Sequence, residues 1–213
     1  MTSVMVKIKF CGLKRPAEVR WAEELKADFI GFNLYPKSTR CVPLKDLKKL
    51  AGEAKTAKKV LVFVNSKLEE ITRAAEKSGA DLVQLHGNET PDFCSRVKSL
   101  IGLPVIKAFR LATEKDLKPL EEYLDSADYF LLDARSEGFY GGTGKPFPWD
   151  LAVKVKELGK PVFLAGGLTG ENVAAACRQV TPFAVDVAGG VEEKTGVKNK
   201  IKMTLFVQKV RAV

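Results

Sequence analysis

Residues 59–109 read KVLVFVNSKLEEITRAAEKSGADLVQLHGNETPDFCSRVKSLIGLPVIKAF, and the alternation in this run decides the architecture. Three short apolar, β-branched segments, Lys59–Val64, Leu82–His86 and Val105–Phe109, are separated by two stretches with helical period. In the first stretch Ser66 and Glu69 form a capping box, Ile71, Ala74 and Ala75 make one apolar face, and Gly79 ends it. In the second, Thr90 precedes Pro91 at the first helical position, and Phe93, Val97 and Leu100 form the stripe. Connections of this length are crossover helices, which makes the strands parallel.

The same alternation continues in both directions. Upstream lie strand candidates Val6–Cys11 and Phe29–Leu34, with Pro43 opening a helix through Leu44, Leu47 and Leu50. Downstream lie Tyr129–Asp133, Val162–Ala165 and Phe183–Val187. Trp149 precedes Ala152, Val155 and Leu158, and helical patterns cover Glu171–Val180 and Lys200–Val210. Eight strand–helix units predict an α/β protein with a single-domain (β/α)8 TIM barrel over residues 1–213. An open doubly wound sheet is the alternative, but no Gly-x-Gly-x-x-Gly follows the first strand.

Composition narrows the function. Lys+Arg 35 against Asp+Glu 26 gives 35 − 26 = +9, with the lysines spread along the chain rather than gathered in a block. That pattern predicts no nucleic-acid partner and suits a small anionic substrate. No apolar run approaches the ~20 residues of a membrane span. The start of the chain, Met1–Lys9, lacks a signal-peptide core, so a cytoplasmic protein without membrane partners is expected. Cys11, Cys41, Cys94 and Cys177 form no Cys-x-x-Cys pair and His86 is the only histidine, which predicts neither a metal site nor a disulfide framework. Monomer and homodimer both remain open.

Side chains two apart share a face of a strand. Ile8 and Phe10 therefore face the helices while Lys9 and Cys11 point into the barrel, as do Gln84 with His86, Leu131 with Asp133, and Ala184 with Asp186. Cys11, His86 and Asp133 fall at the C-terminal ends of their strands, where barrels of this kind build their sites. Lys9 and Asp186 can form a buried ion pair, and His86 before Gly87 can hold a loop or touch a ligand. Two glycine pairs, Gly166-Gly167 after the seventh strand and Gly189-Gly190 after the eighth, occupy the usual phosphate cradle of the fold. Gly141-Gly142-Thr143-Gly144-Lys145 is too short for a phosphate-binding Walker loop and reads as a flexible segment near the mouth.

Taken in order, these residues resemble the phosphoribosylanthranilate isomerase family of tryptophan biosynthesis. The resemblance is carried by Lys9-Phe10-Cys11-Gly12-Leu13, by residues 31–40 (GFNLYPKSTR), by Val83-Gln84-Leu85-His86-Gly87 and by Leu131-Leu132-Asp133. The segment from Gly141 to Lys145, Ala165-Gly166-Gly167-Leu168 and Phe183-Ala184-Val185-Asp186-Val187 complete it, so it spans nearly the whole chain. It implies a cofactor-free Amadori rearrangement of N-(5-phosphoribosyl)anthranilate to 1-(2-carboxyphenylamino)-1-deoxyribulose 5-phosphate. By the same resemblance Asp133 is the general acid at the ribose ring oxygen and Cys11 the general base at C2. Arg40 pairs with the anthranilate carboxylate, the four glycines hold the phosphate, and His86 and Asp186 are further candidates for substrate contact. Lys9 would then favour the Cys11 thiolate, and burial would have to raise the pKa of Asp133.

The chain departs from the family in two places. The last loop, usually Asp-Val-Ser-Ser-Gly-Val-Glu, here reads Asp186-Val187-Ala188-Gly189-Gly190-Val191-Glu192, without the two hydroxyls. The usual Gly-x-Lys-Asp reads Gly196-Val197-Lys198-Asn199, losing a carboxylate beside the last helix.

Overall fold

The computed structural model describes residues 5–134 and 148–213. Eight parallel strands close into a barrel in sequence order. They are β1 (Lys7–Cys11), β2 (Phe29–Asn33), β3 (Lys58–Phe63), β4 (Leu82–Leu85), β5 (Val105–Leu111), β6 (Tyr129–Ala134), β7 (Val162–Leu164) and β8 (Ala184–Val187). Outside them run α1 (Pro16–Glu24), α2 (Leu44–Ala51), α3 (Leu68–Ser78), α4 (Pro91–Ile101), a 3-10 segment Glu114–Tyr123, α5 (Trp149–Lys156), α6 (Val173–Val180) and α7 (Lys200–Arg211). Pro119 lies within the 3-10 segment, where it cannot supply the N–H of an α-helical bond. Between β8 and α7 come a 3-10 turn, Gly189–Val191, and a small antiparallel pair, β9 (Glu192–Lys194) and β10 (Val197–Lys198). The barrel expected from the alternation is the fold observed.

The period-2 pattern of the strands produces two apolar layers. Ile8, Phe10, Val83, Leu132 and Val185 pack outward against helix residues such as Leu47, Ile71, Val97 and Phe206. Phe29, Val60, Val62, Ile106, Leu131 and Phe163 fill the inside. At the N-terminal end of the barrel Phe163 meets Phe29, Tyr129 and Phe183 edge-on, with ring centroids 5.1, 5.6 and 5.5 Å apart. This aromatic plug leaves the opposite, C-terminal end for polar groups.

Local differences from the sequence pattern have physical causes. Helix α3 begins one residue late, because the Glu70 carboxylate, rather than Glu69, accepts an N–H, that of Lys67 at 3.1 Å. In α4 the buried positions are Cys94 and Val97, with Ile101 packed beside them, and Leu100 is rotated off this stripe and 62% exposed. Helix α6 starts at Val173, not Glu171, since Asn172 holds the preceding turn open. Its Oδ1 accepts from Thr169 N–H at 2.8 Å and its Nδ2 donates to Gly167 C=O at 2.9 Å. Asn199, standing where the family has a carboxylate, still caps α7 by accepting from Lys202 N–H at 3.1 Å.

A repeated device staples neighbouring strands. Ala27-Asp28-Phe29, Ala80-Asp81-Leu82 and Ala127-Asp128-Tyr129 open β2, β4 and β6. Each aspartate donates its N–H to the C=O of one residue on or at the start of the preceding strand (Ile8, Lys59 or Val105). Its carboxylate accepts that same residue's N–H at 2.8, 2.8 and 2.9 Å. At β8 the corresponding residue is Pro182, and no such pair forms. Asp28→Ala and Asp128→Ala should each destabilise the fold by about 1 kcal/mol, the partly exposed carboxylates giving less than a fully buried charged bond. Because the two staples lie on distant strands, the double variant should show the sum in urea unfolding.

Candidate active site

Cys11 ends β1, with Lys9 two residues below it on the same inner face. Lys9 is fully buried, and its Nζ lies 2.9 Å from Asp186 Oδ1, on its register partner across the β1–β8 pairing. Burial penalises the Lys9 ammonium, but Asp186, with Cys11 adding to it, outweighs this and holds its pKa above the ordinary lysine value. On the other side Cys11 pairs with Gly31 of β2. A Cβ on residue 31 would sit 2.9 Å from Cys11 Sγ, so only glycine leaves the thiol its place.

The hairpin after β8 brings a second charged group to the mouth. Lys198 Nζ, buried, donates to Ala188 C=O at 2.9 Å and to Glu192 Oε1 at 2.8 Å. Glu192 also takes a fork from Arg40, Nε to Oε1 and Nη2 to Oε2, both at 2.7 Å. Burial alone would raise the Glu192 pKa, yet Arg40 and Lys198 together pull it down to about 2. Two cations and one anion leave this cluster with one surplus positive charge, while Lys9 and Asp186 cancel. For Cys11, burial pushes the thiol up. Lys9 and Lys198 pull it back, Asp186 adds to the rise, and the net position is above the ordinary thiol value. Lys9 therefore favours the thiolate as expected, but burial outweighs it.

Asp133, the fifth residue of β6, is buried at the opposite side of the mouth from β1, three strands away around the closed sheet. Its Oδ1 accepts the Ala134 N–H at 2.8 Å, and its Oδ2 faces His86 Nε2 at 3.5 Å. His86 lies one residue past β4, and its N–H still extends the ladder to Phe63 C=O at 2.8 Å. Its other ring nitrogen, Nδ1, is 2.8 Å from Gln84 Nε2. Behind this loop the buried Glu89 accepts the N–H groups of Asn65 and Gly87 at 2.8 and 2.9 Å and the Lys107 ammonium at 2.9 Å. Lys107 also donates to Gly87 C=O at 2.8 Å.

The loops that carry the two glycine pairs meet at Gly190 and Leu168. A Cβ on Gly190 would lie 1.9 Å from Leu168 C=O, so the loops after β7 and β8 touch backbone to backbone only because residue 190 is glycine. Gly166 and Gly167 have φ of 81° and 71°, and Gly189 opens the 3-10 turn. The segment Gly141–Lys145 lies outside the described residues. Among the described residues no three His, Cys, Asp or Glu side chains gather in a way that suits a metal ion. Nor is any described helix long and apolar enough to cross a membrane.

Sequence reading thus placed Cys11, Asp133, His86, Asp186, Arg40 and the glycines at one end of the barrel. It assigned no role to Glu192, Lys198, Glu89, Lys107 or Gln84. For Gln84 a signal existed, a polar residue on an inward position two before His86. The others are joined by contacts that no period announces.

With this geometry in place, a family model described as N-(5'-phosphoribosyl)anthranilate (PRA) isomerase matches residues 8–209. The chain belongs to that family. It is an isomerase of tryptophan biosynthesis. The N-(5'-phosphoribosyl)anthranilate isomerase of Caldanaerobacter subterraneus subsp. tengcongensis is 42% identical over 98% of this chain and 100% of its own. The crystal structure of the isomerase from Thermotoga maritima superposes with a TM-score of 0.91 at 33% identity, over 98% of this chain and 100% of that one. A further structure of the isomerase, in complex with reduced 1-(o-carboxyphenylamino)-1-deoxyribulose 5-phosphate, gives 0.87 at 31% identity, over 98% and 100%.

The charges around Cys11 make a directional prediction for this isomerase. Lys198→Met removes a cation that lowers the thiol pKa, so the pH at which iodoacetamide half-modifies the Cys11 peptide should rise. Mass spectrometry of that peptide separates Cys11 from the other cysteines; equal midpoints in the wild type and the variant would refute this electrostatic account.

Proposed function

We propose that this enzyme performs its rearrangement with Asp133 as general acid and Cys11 as general base. The carrying observation is their placement on opposite walls of one polar mouth, beside a cluster with surplus positive charge. Asp133 gives its proton to the ribose ring oxygen, the C1–O bond breaks, and the anthranilate nitrogen lone pair forms the C1 iminium. Cys11 then takes the C2 proton, and the C–H electron pair makes the enolamine, which tautomerises to the 2-ketone as C1 gains a proton. Carbon 1 is reduced as carbon 2 is oxidised within one molecule, so the step needs no external electron acceptor. Positioned acid–base groups of this kind contribute roughly 10²–10⁴ each.

The substrate carries a phosphate and a carboxylate, and the mouth supplies matching partners. Gly166, Gly167, Gly189 and Gly190 are the proposed phosphate loops, and their backbone-to-backbone contact supports a single shared anion site. Arg40 spends Nε–H and one Nη2–H on Glu192, which leaves three of its roughly five donors for the anthranilate carboxylate. Glu192 holds the guanidinium plane in one orientation, which suits a planar carboxylate. Asp186 acts on the substrate side through Lys9, whose ammonium it pins beneath Cys11. Cys11, Cys41, Cys94 and Cys177 are all free thiols, which supports a reducing, cytoplasmic setting.

Freshly made phosphoribosylanthranilate loses its fluorescence on conversion, so the purified protein can be followed directly. Cys11→Ser and Asp133→Asn should each lower kcat by about 10²–10⁴ with a much smaller change in KM. A Cys11→Ser or Asp133→Asn enzyme that keeps the wild-type kcat removes that residue from its role.

A further inference from the structure

The interior of the barrel carries one polar side chain that neither the charge clusters nor the proposed acid–base pair uses. Gln84 is fully buried, on the inner face of β4, with Val62 of β3 and Ile106 of β5 as register neighbours. A buried amide in apolar surroundings costs free energy unless it is bonded. Its Nε2 is placed 2.8 Å from His86 Nδ1, while Gln84 Oε1 and His86 Nε2 have no hydrogen-bond partner among the described residues. His86 Nε2 points instead to Asp133 Oδ2, at 3.5 Å.

We propose that Gln84 is a positioning residue that holds His86 as the Nε2–H tautomer, aimed at the Asp133 carboxyl. An amide N–H given to Nδ1 requires the lone pair there, and a neutral imidazole then carries its proton on Nε2. Before reaction a protonated Asp133 has little need of that donor, and 3.5 Å is longer than a formed bond. Once Asp133 has passed its proton to the ring oxygen, the new carboxylate meets an N–H already pointed at Oδ2, while Oδ1 keeps the Ala134 N–H. The two donors then flank the anion as a prearranged pair, and only a few tenths of an ångström separate the His86 contact from a formed bond. The backbone that carries the imidazole is held by its N–H bond to Phe63 and by the Glu89 and Lys107 contacts of the loop behind it, and the ring itself is held by Gln84 at Nδ1. This inference rests on Asp133 being the acid, and its test separates the two claims.

His86 is the only histidine in the chain, so one pair of ring nitrogens appears in a long-range ¹H–¹⁵N spectrum of uniformly labelled enzyme. In the wild type Nε2 should be the protonated nitrogen and Nδ1 the bare one. Gln84→Glu puts an acceptor against Nδ1, and the proton should appear on Nδ1. Gln84→Met keeps the volume without the donor, so the Nε2–H form should lose its dominance; this variant serves if the glutamate does not fold. In steady-state assays both variants should lower kcat on the order of tenfold, the worth of one hydrogen bond to a charged group, with KM within about twofold. A wild-type enzyme protonated on Nδ1, or a Gln84→Met enzyme with unchanged tautomer and kcat, overturns the proposal while Asp133 stands. An Asp133→Asn enzyme with full activity overturns the acid assignment, and with it the use we give to the Nε2–H, whatever the tautomer.

Discussion

Lys9 and Asp186 meet at 2.9 Å across the seam where the first and last strands close the barrel, and the working end of the molecule is built on that contact. Neither charge is tolerable there alone. An isolated ammonium inside an apolar cylinder would lose several kcal/mol of solvation, and the attraction between the partners offsets that loss only while both strands keep register. A slip of either strand by one residue would turn its own member of the pair out among the helices and leave the other unpaired. The pair therefore ties closure of the sheet to correct placement of what lies just above it: Cys11, two residues on from Lys9, and the glycine turn that follows Asp186 by three residues.

The mouth repeats the same logic one layer up, with the opposite balance. Glu192 is held by Arg40 and Lys198 so firmly that its carboxyl stays ionised down to about pH 2, and it accounts for only one of their two charges. The remaining positive charge is buried beside a thiol that burial pushes toward its neutral form. An anionic group entering such a site meets a charge of opposite sign already in place. The Arg40 Nη2 lies 3.7 Å from where a Cβ of residue 189 would stand, so the hydroxyl-free turn at Ala188 and Gly189 runs beside this cation.

The barrel was legible because burial imposes periods. Strands alternate at two, helices at 3.6, and the residues that break the alternation, Lys9, Cys11, Gln84, Asp133 and Asp186, are those lining the working end. Legibility ended where an interaction joins residues by space alone. Glu192 with Arg40 spans 152 positions and Lys107 with Glu89 runs between a strand and the loop of its neighbour, so neither leaves a mark in any short window. Leu100 misled for the converse reason: it keeps helical spacing from Phe93 and Val97, yet the buried line runs through Cys94 and Ile101. The Ala-Asp-aromatic or Ala-Asp-Leu openings of β2, β4 and β6 were readable in principle, as an internal repeat of paired strand–helix units.

That repeat also indicates how stability and chemistry are divided between the two ends of the barrel. The aspartate staples and the Phe163 plug sit at the N-terminal end, where no ligand has to enter, and they bind neighbouring strands with local contacts of about 20 residues' separation. The C-terminal end holds buried charges and an orphaned amide oxygen, groups that cost stability wherever they are found. Gathering them at one end lets the apolar layers and staples below keep the strands aligned while the mouth stays polar. The fourth repeat, where Pro182 stands instead of an aspartate, lies under β8, the strand whose register Lys9 and Asp186 already secure.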